Sequence, residues 1–132
     1  MNKTLIALAC ASALLAPPTL ALAQKAVTTE TFTTATPTDV LSSNVVGLSV
    51  ENHQNENIGE IKDLILSQGQ LAGYIVSVGG FLGIGERYVI VRPGAIQITY
   101  VDAQSKWKAS MNASAEQLKA APAFKYEGRW KR

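Results

Sequence analysis

Residues 73–91, GYIVSVGGFLGIGERYVIV, contain two strand-forming runs separated by a loop that is rich in both glycine and apolar side chains. Valine, isoleucine and tyrosine dominate the two runs, as is typical of β-strands. Glycine lets the loop adopt positive φ at little steric cost, but a loop that only reverses the chain is normally polar. Because this one carries Phe81, Leu82 and Ile84, we expect it to pack on its own domain, on a partner or on a membrane.

This glycine-rich loop is the predicted partner-binding site. It consists of Gly79, Gly80, Phe81, Leu82, Gly83, Ile84, Gly85, Glu86 and Arg87. Two interpretations remain open at this point. If the apolar side chains fold back over the domain, the loop is a lid that contributes to stability. If they stay exposed, they form the kind of apolar patch that marks a binding surface, with a polar rim from the charged pair that follows.

Strand patterns joined by turns continue on both sides of this region. Apolar alternation predicts strands at residues 45–51, 58–66, 71–78, 87–92 and 96–100, with a possible sixth at 106–111. The alternation slips at Lys62 and Asp63, which predicts a β-bulge there. Residues 67–70 predict a tight turn with Gly69 in the left-handed conformation.

A short helix is predicted at residues 115–120, because Ser114 and Gln117 have the spacing of a capping box and Pro122 follows. Several short strands, tight turns and one terminal helix indicate a mainly β fold. We predict a small antiparallel β-barrel of about five to six strands with a short C-terminal helix. The residues expected to form its core are Ile61, Leu64, Tyr74, Val76, Val89 and Ile98.

Residues 1–23 have the three-part form of a secretory signal peptide. Lys3 precedes a short apolar run at residues 5–15, and Ala21 and Ala23 are small residues of the kind that signal peptidase recognises. The run is shorter than the roughly 20 apolar residues of a membrane span. We therefore expect cleavage after Ala23 and a periplasmic or otherwise exported protein with no stable membrane span. An uncleaved N-terminal anchor is the alternative.

The remaining chain divides by composition into three segments. Residues 24–44 are rich in threonine and poor in large apolar side chains, so we expect a flexible leader. Residues 45–126 are predicted to form the domain, and residues 127–132 a tail. Cys10 falls in the signal segment, so the predicted mature chain has no disulfide available and must be stabilised by its core.

The sequence offers no convincing set of catalytic or metal-binding residues. His53 is the only histidine, and with Glu51 and Glu56 at irregular loop spacing it makes a poor metal set. Asp63 has no assignable acid, base or nucleophile beside it, so we predict a structural role, accepting hydrogen bonds from N–H groups at the bulge. We therefore predict a protein that is not an enzyme and has no cofactor.

Nucleic acid is also not a predicted partner. The formal net charge is +2 over 132 residues, and no basic groove accompanies Trp107 and Trp130. We expect one of these tryptophans in the core and the other as an anchor for the tail.

Three motifs in order resemble the PRC-barrel family and its bacterial exported members. They are IGEIKDLIL at residues 58–66, VSVGGFLGIGE at 76–86 and LKAAPAF at 118–124. The family includes the cytoplasmic domain of the photosynthetic reaction centre H subunit and the C-terminal domain of a ribosome-maturation factor, both docking modules. The resemblance implies a β-barrel and carries over no catalytic residue.

The predicted function is therefore that of a non-enzymatic exported module that binds another envelope macromolecule or itself. The alternative is a small-ligand carrier that uses an apolar barrel mouth. Interiors of barrels this small are normally filled by side chains, which speaks against a carrier of that kind.

Overall fold

The computed structural model describes residue 15 and residues 31–79 and 85–132. The chain divides into two compact units, Met1–Pro37 and Thr38–Arg132. In the first unit the described residues, Leu15 and 31–37, are exposed. All the elements named below belong to the second unit.

Seven strands and two short α-helices occur among the described residues. The strands are β1 (Ser49–Glu51), β2 (Asn57–Ser67), β3 (Gln70–Val78), β4 (Arg87–Val91), β5 (Ile96–Val101), β6 (Lys106–Met111) and β7 (Ala123–Phe124). The helices are α1 (Ser42–Val45) and α2 (Ala115–Ala120), and short 3-10 turns lie at Pro93–Ala95, Asp102–Gln104 and Gly128–Trp130. The prediction of a mainly β fold with a helix near the C-terminal end is confirmed.

The strands form one sheet in the order β5-β6-β1-β2-β3-β4-β7. Every neighbouring pair is antiparallel except β1 and β6, which are parallel. The sheet has free edges at β5 and β7, so backbone hydrogen bonds do not close it into a barrel within the described residues. The sequence predicted antiparallel pairing only, because hairpin turns give no sign of a pair formed between distant strands.

The core lies against the inner face of this sheet. Its largest fully buried side chains are Val50, Ile61, Val76, Val78 and Val89, which come from four strands. Leu118 of α2 joins the same cluster.

The six predicted core residues all contribute to this cluster. Ile61, Tyr74, Val76 and Val89 are buried, and Leu64 and Ile98 are partly buried against the cluster.

The predicted bulge in β2 is present. Ile61 pairs with Val76 and Asp63 pairs with Ile75, so Lys62 has no partner on β3. The turn that follows β2 is tight, with Gln68 and Gly69 both left-handed at φ 52° and 77°. Such pairs of left-handed residues match the twist of the strands that they join.

The first predicted strand is shorter than expected. Residues 45–51 were predicted as one strand, but α1 contains Val45 and β1 begins only at Ser49. The break lies at Gly47, whose φ of 97° is incompatible with a strand and whose N–H donates to the Ile61 carbonyl at 2.8 Å. As a result Val45 is buried, whereas Val46 is exposed.

The chain beyond β6 is more ordered than a tail. The Ser114 hydroxyl accepts from the Gln117 N–H at 3.1 Å and the Gln117 side chain accepts from the Ser114 N–H at 2.9 Å, which confirms the predicted capping box. Tyr88 then pairs with Phe124 as β7 joins β4. The compact unit, Thr38–Arg132, extends beyond the predicted domain of residues 45–126 at both ends.

Candidate functional site

The structure describes four of the nine residues of the glycine-rich loop. Gly79 and Gly85 have φ of 69° and 75°, a conformation that glycine adopts without strain. Glu86 and Arg87 lead into β4. The other five, Gly80, Phe81, Leu82, Gly83 and Ile84, lie outside the described residues.

Glu86 is held by side chains from β4 and from β2, the two strands that flank β3. The Tyr88 hydroxyl donates to its carboxylate at 3.0 Å, and the Lys62 ammonium lies 3.8 Å away. The nearby Ser77 hydroxyl is the main cause that lowers the pKa of Glu86 below its ordinary value, with Tyr88 and Lys62 adding to the effect and partial burial opposing it. Glu86 therefore stays ionised at neutral pH.

Lys62, the residue at the bulge of β2, lies beside Glu86. Its ammonium also donates to the Glu60 carboxylate at 2.9 Å, so one cation lies between two carboxylates. The hydrogen bond to Glu60 is the main cause that raises the pKa of Lys62. Both shifts, of Glu86 and of Lys62, favour the charged form, whereas a general base or acid works best with a pKa near the operating pH.

Arg87 connects the loop to α2. Its guanidinium donates a short hydrogen bond to the carbonyl of Ala121, the residue that ends the helix. A cation at a helix C-terminus is favourable because the last carbonyls carry partial negative charge. The start of β4 is therefore tied both to β2, through Glu86, and to α2, through Arg87.

A polar cleft opens beside this end of the loop. It has a volume of about 520 Å³. Its lining includes Asn57, Glu60, Lys62, Ser77, Glu86 and Lys119. Both described ends of the glycine-rich loop border it, because Gly79 and Glu86 are part of its wall.

A second concave surface lies on the outer face of β2, β3 and β4, where the C-terminal segment crosses it. This outer groove has a volume of about 540 Å³. Its apolar lining consists of Leu64, Ile65, Leu66, Ile75, Ile90, Phe124, Tyr126 and Trp130. Ile75 is only 4% exposed, although it lies outside the inner core cluster. β3 is therefore covered on both faces.

Asp63 and Arg132 form the polar end of the outer groove. The Arg132 guanidinium donates to the Asp63 carboxylate at 3.1 Å and to the Lys62 carbonyl at 3.1 Å. This contact raises the pKa of Arg132. Asp63 also accepts from the Leu64 N–H at 2.9 Å, in agreement with its predicted structural role at the bulge.

Four aromatic side chains connect the C-terminal segment to β4. Tyr126 contacts Tyr88 and Phe124 edge to face, each at 5.1 Å between ring centres, and Phe124 contacts Trp130 at 5.8 Å. Arg132 lies 4.2 Å above the Tyr126 ring. Trp130 thus serves as the expected anchor for the tail, while Trp107 is half-buried beside Tyr100.

The outer groove was not predicted from the sequence. One signal for it exists, because residues 74–76 are apolar at consecutive positions and a strand with water on one face would alternate. The other half of the groove comes from the aromatic residues at 124, 126 and 130, which only the return of the chain to β4 brings into place.

His53 is exposed in the connection between β1 and β2. Its neighbour Asn52 organises that connection, accepting from the N–H groups of Gln54 and Glu56 at 2.9 and 3.0 Å. Within residues 15, 31–79 and 85–132, no three His, Cys, Asp or Glu side chains are grouped closely enough to hold a metal ion. Over the same residues, each helix is too short or too polar to cross a membrane.

Comparison with known proteins gives one family. Residues 37–107 match the PRC-barrel domain. No curated protein matches the chain.

Proposed function

Since this chain belongs to the PRC-barrel family, we propose that it is an exported, non-enzymatic docking module that binds another envelope macromolecule or a second copy of itself. The family match covers most of the sheet, from residue 37 to residue 107. A fold hosts many functions, so the proposal depends on the site and not on the family alone.

The observation that carries the proposal is the fixed base of the glycine-rich loop. Glu86 is held by Tyr88 and Lys62, and Arg87 is held by the end of α2. In the sequence, Phe81, Leu82 and Ile84 lie between Gly79 and Glu86, the two described ends of the loop that border the polar cleft. Apolar side chains on a fixed base lose less conformational freedom on binding than side chains on a loose loop, which favours recognition.

The charged cluster at this base supports a binding role over a catalytic one. The pKa of Glu86 is lowered and the pKa of Lys62 is raised, so each side chain stays in its charged form around neutral pH. Catalytic carboxylates and lysines are normally shifted in the opposite direction, towards neutral pH.

Substitution of the loop tests the site. Phe81→Ser and Leu82→Ser should leave the melting temperature unchanged and abolish self-association or partner capture. Leu41→Ser is the matched control, because Leu41 is an exposed leucine outside the loop, in the position that precedes α1. Sedimentation of each variant measures self-association. Capture from envelope extract, followed by mass spectrometry, measures partner binding.

The opposite pattern would identify the loop as a lid. In that case the two loop variants would lose about 2–4 kcal/mol of stability, as buried apolar side chains replaced by polar ones do. Association that survives this loss of stability would rule out the loop as the interaction site.

Export is supported by the signal-peptide pattern of residues 1–23. The protein recovered from the periplasm should begin at Gln24. Intact-mass measurement tests this. A mass that retains residues 5–15, or a lipid on Cys10, would contradict the proposed processing.

A small-ligand carrier is the second candidate, favoured by one observation. The outer groove, at about 540 Å³, has a volume within the range of small-molecule sites, roughly 300–1,000 Å³. A ligand against the inner face of the sheet is disfavoured, because buried side chains such as Val50, Ile61 and Val76 already pack there. Native mass spectrometry of protein isolated from the envelope would reveal a bound ligand as added mass that disappears on denaturation.

A further inference from the structure

We propose that the outer groove docks on a lipid surface that carries anionic headgroups. This inference goes beyond the proposed protein interaction and uses a different face of the molecule. The groove is formed by β2, β3, β4 and the C-terminal segment, whereas the glycine-rich loop borders the polar cleft.

The first observation is the concentration of exposed apolar side chains at the groove. Leu66, Ile90 and Trp130 are 68%, 50% and 66% exposed, and all three line it. They come from β2, β4 and the C-terminal segment, so the fold and not the sequence brings them together. Clustered apolar exposure of this kind marks a site for a protein, a ligand or a membrane.

The second observation is the charge around Trp130. Residues 125–132 contain four basic side chains and one acidic one. Lys125 is near Glu127 at 3.9 Å and Arg132 is paired with Asp63. Arg129 and Lys131, on either side of Trp130, are exposed and form no ion pair within the described residues. Trp130, which lines the groove, therefore lies between these two cations in the chain, and we call Arg129 and Lys131 the basic rim of the groove.

An exposed tryptophan between two cations, next to aliphatic side chains, is the pattern of proteins that rest on membrane interfaces. Tryptophan prefers the headgroup level, and basic residues near the surface are attracted by anionic lipids. Leu66 and Ile90 would enter the boundary between headgroups and acyl chains, where apolar area gives affinity.

A second copy of the chain fits this groove less well. A two-fold contact places the same surface on both sides, so the basic rims would face each other. Like charges brought together at an interface are unfavourable. A peptide strand fits less well too, because the floor of the groove is the face of a sheet whose backbone groups already pair with each other.

Vesicle binding tests the proposal. The protein recovered from the envelope, with one N-terminus for all variants, is sedimented with vesicles of phosphatidylglycerol or of phosphatidylcholine. We expect binding to phosphatidylglycerol that weakens as sodium chloride is added, and little binding to phosphatidylcholine. Equal binding to both lipids, or none to either, would overturn the proposal.

Two pairs of variants identify the surface. Arg129→Gln with Lys131→Gln should weaken binding to phosphatidylglycerol about 30-fold, since each cation near a surface contributes about 1 kcal/mol. Arg92→Gln with Lys106→Gln removes the same charge from exposed positions outside the groove and serves as the control. An equal effect of the two pairs would mean that net charge, and not this groove, drives binding, and would contradict the proposal.

The apolar half of the surface has its own variants. Leu66→Ser with Trp130→Ser should abolish vesicle binding, while Leu41→Ser should retain it. Because Trp130 contacts Phe124, its replacement could also lower stability, so the melting temperature is measured alongside vesicle binding. If the melting temperature falls, the variants that replace Arg129 and Lys131 decide whether this surface binds vesicles. If vesicles are not bound but Leu66→Ser breaks a dimer, the occupant is a second copy and the lipid proposal fails. Leu82→Ser should affect partner capture and leave vesicle binding intact, so the two proposals can fail separately.

Discussion

The Arg132 guanidinium lies 3.1 Å from the Asp63 carboxylate, so the C-terminal segment is bonded to the bulge of β2. Both side chains are about half exposed, and ion pairs of this kind contribute about 1 kcal/mol or less. The segment also helps to cover Ile75 on the outer face of β3. We infer that apolar contact, more than charge, holds the segment in place.

Deletion of residues 128–132 tests whether apolar contact contributes more to stability than the ion pair between Arg132 and Asp63. The deletion removes Trp130 and Arg132, and we expect a loss of about 1–2 kcal/mol in the free energy of unfolding. Asp63→Asn alone should cost less than about 1 kcal/mol, because the exposed pair is weak. Urea denaturation of both variants gives the comparison. Equal losses would show that the ion pair dominates.

Val76 is one of the fully buried residues of the inner core. Its side chain is fully buried, so Val76→Ala should lower stability by about 1–3 kcal/mol, through lost burial and the cavity left behind. Val46→Ala is the matched control, because Val46 is 45% exposed, and should change stability by less than about 0.5 kcal/mol. The shift of the urea denaturation midpoint measures each stability change, provided that the denaturant dependence of the unfolding free energy is the same in both variants. Similar losses for the two valines would contradict the assignment of the core.

Gly59 is required where β2 comes close to Val76 and Ser77 of β3. A Cβ atom there would lie 2.7 Å from both the Ser77 carbonyl oxygen and the Val76 side chain. Gly59→Ala should therefore cost about 1–3 kcal/mol, as overpacking does.

Gly94→Ala is the control for Gly59→Ala, because nothing lies within 4 Å of its added Cβ, and should be close to neutral. The melting temperatures of the two alanine variants are compared. A loss in Gly59→Ala alone indicates a steric conflict, whereas equal losses indicate a general effect of replacing glycine. A stable Gly59→Ala protein would show that the approach of the two strands is looser than described.

The charged cluster beside the glycine-rich loop predicts a pH dependence. The pKa of Glu86 is lowered in the folded protein, so its stabilising contribution is present above the unfolded value and is lost as the pH falls through the folded one. The stability difference between the wild type and Glu86→Gln should be largest near neutral pH and shrink below about pH 4.3. Chemical denaturation at several pH values measures it. A difference that does not change with pH would mean that Glu86 is not held as described.

The predicted leader should be dispensable. The compact unit that contains the sheet begins at Thr38, so deletion of residues 24–37 should change stability by less than about 0.5 kcal/mol. Circular dichroism and melting of the shortened protein test this. A domain that unfolds without the leader would show that the leader supplies a strand.

Local features were predictable from the sequence because they depend on neighbouring residues. The bulge follows from a change of apolar parity at Lys62, the turn from Gly69, and the capping box from the spacing of Ser114 and Gln117. Most of the predicted core was found as well, since burial follows the same alternation.

Features made by distant residues were not predictable in the same way. The parallel pair of β1 and β6 has no local signal, and neither does the return of Phe124 to Tyr88 on β4. The outer groove depends on that return, which is why its residues were missed. Gly47 shows a different limit. The alternation of apolar and polar residues on both sides of it predicted one continuous strand, although its positive φ ends the strand there.

The single parallel pair has a consequence for how the chain assembles. β2, β3 and β4 can form from neighbouring hairpins, and so can β5 and β6. The pair of β1 and β6 cannot form until Ala109 is available to pair with Val50. Contacts between residues so far apart raise contact order and slow folding. A polypeptide that is released N-terminus first would therefore leave β1 paired on one side only until residue 109 has emerged, and we expect folding of the sheet to finish only after nearly the whole chain is released.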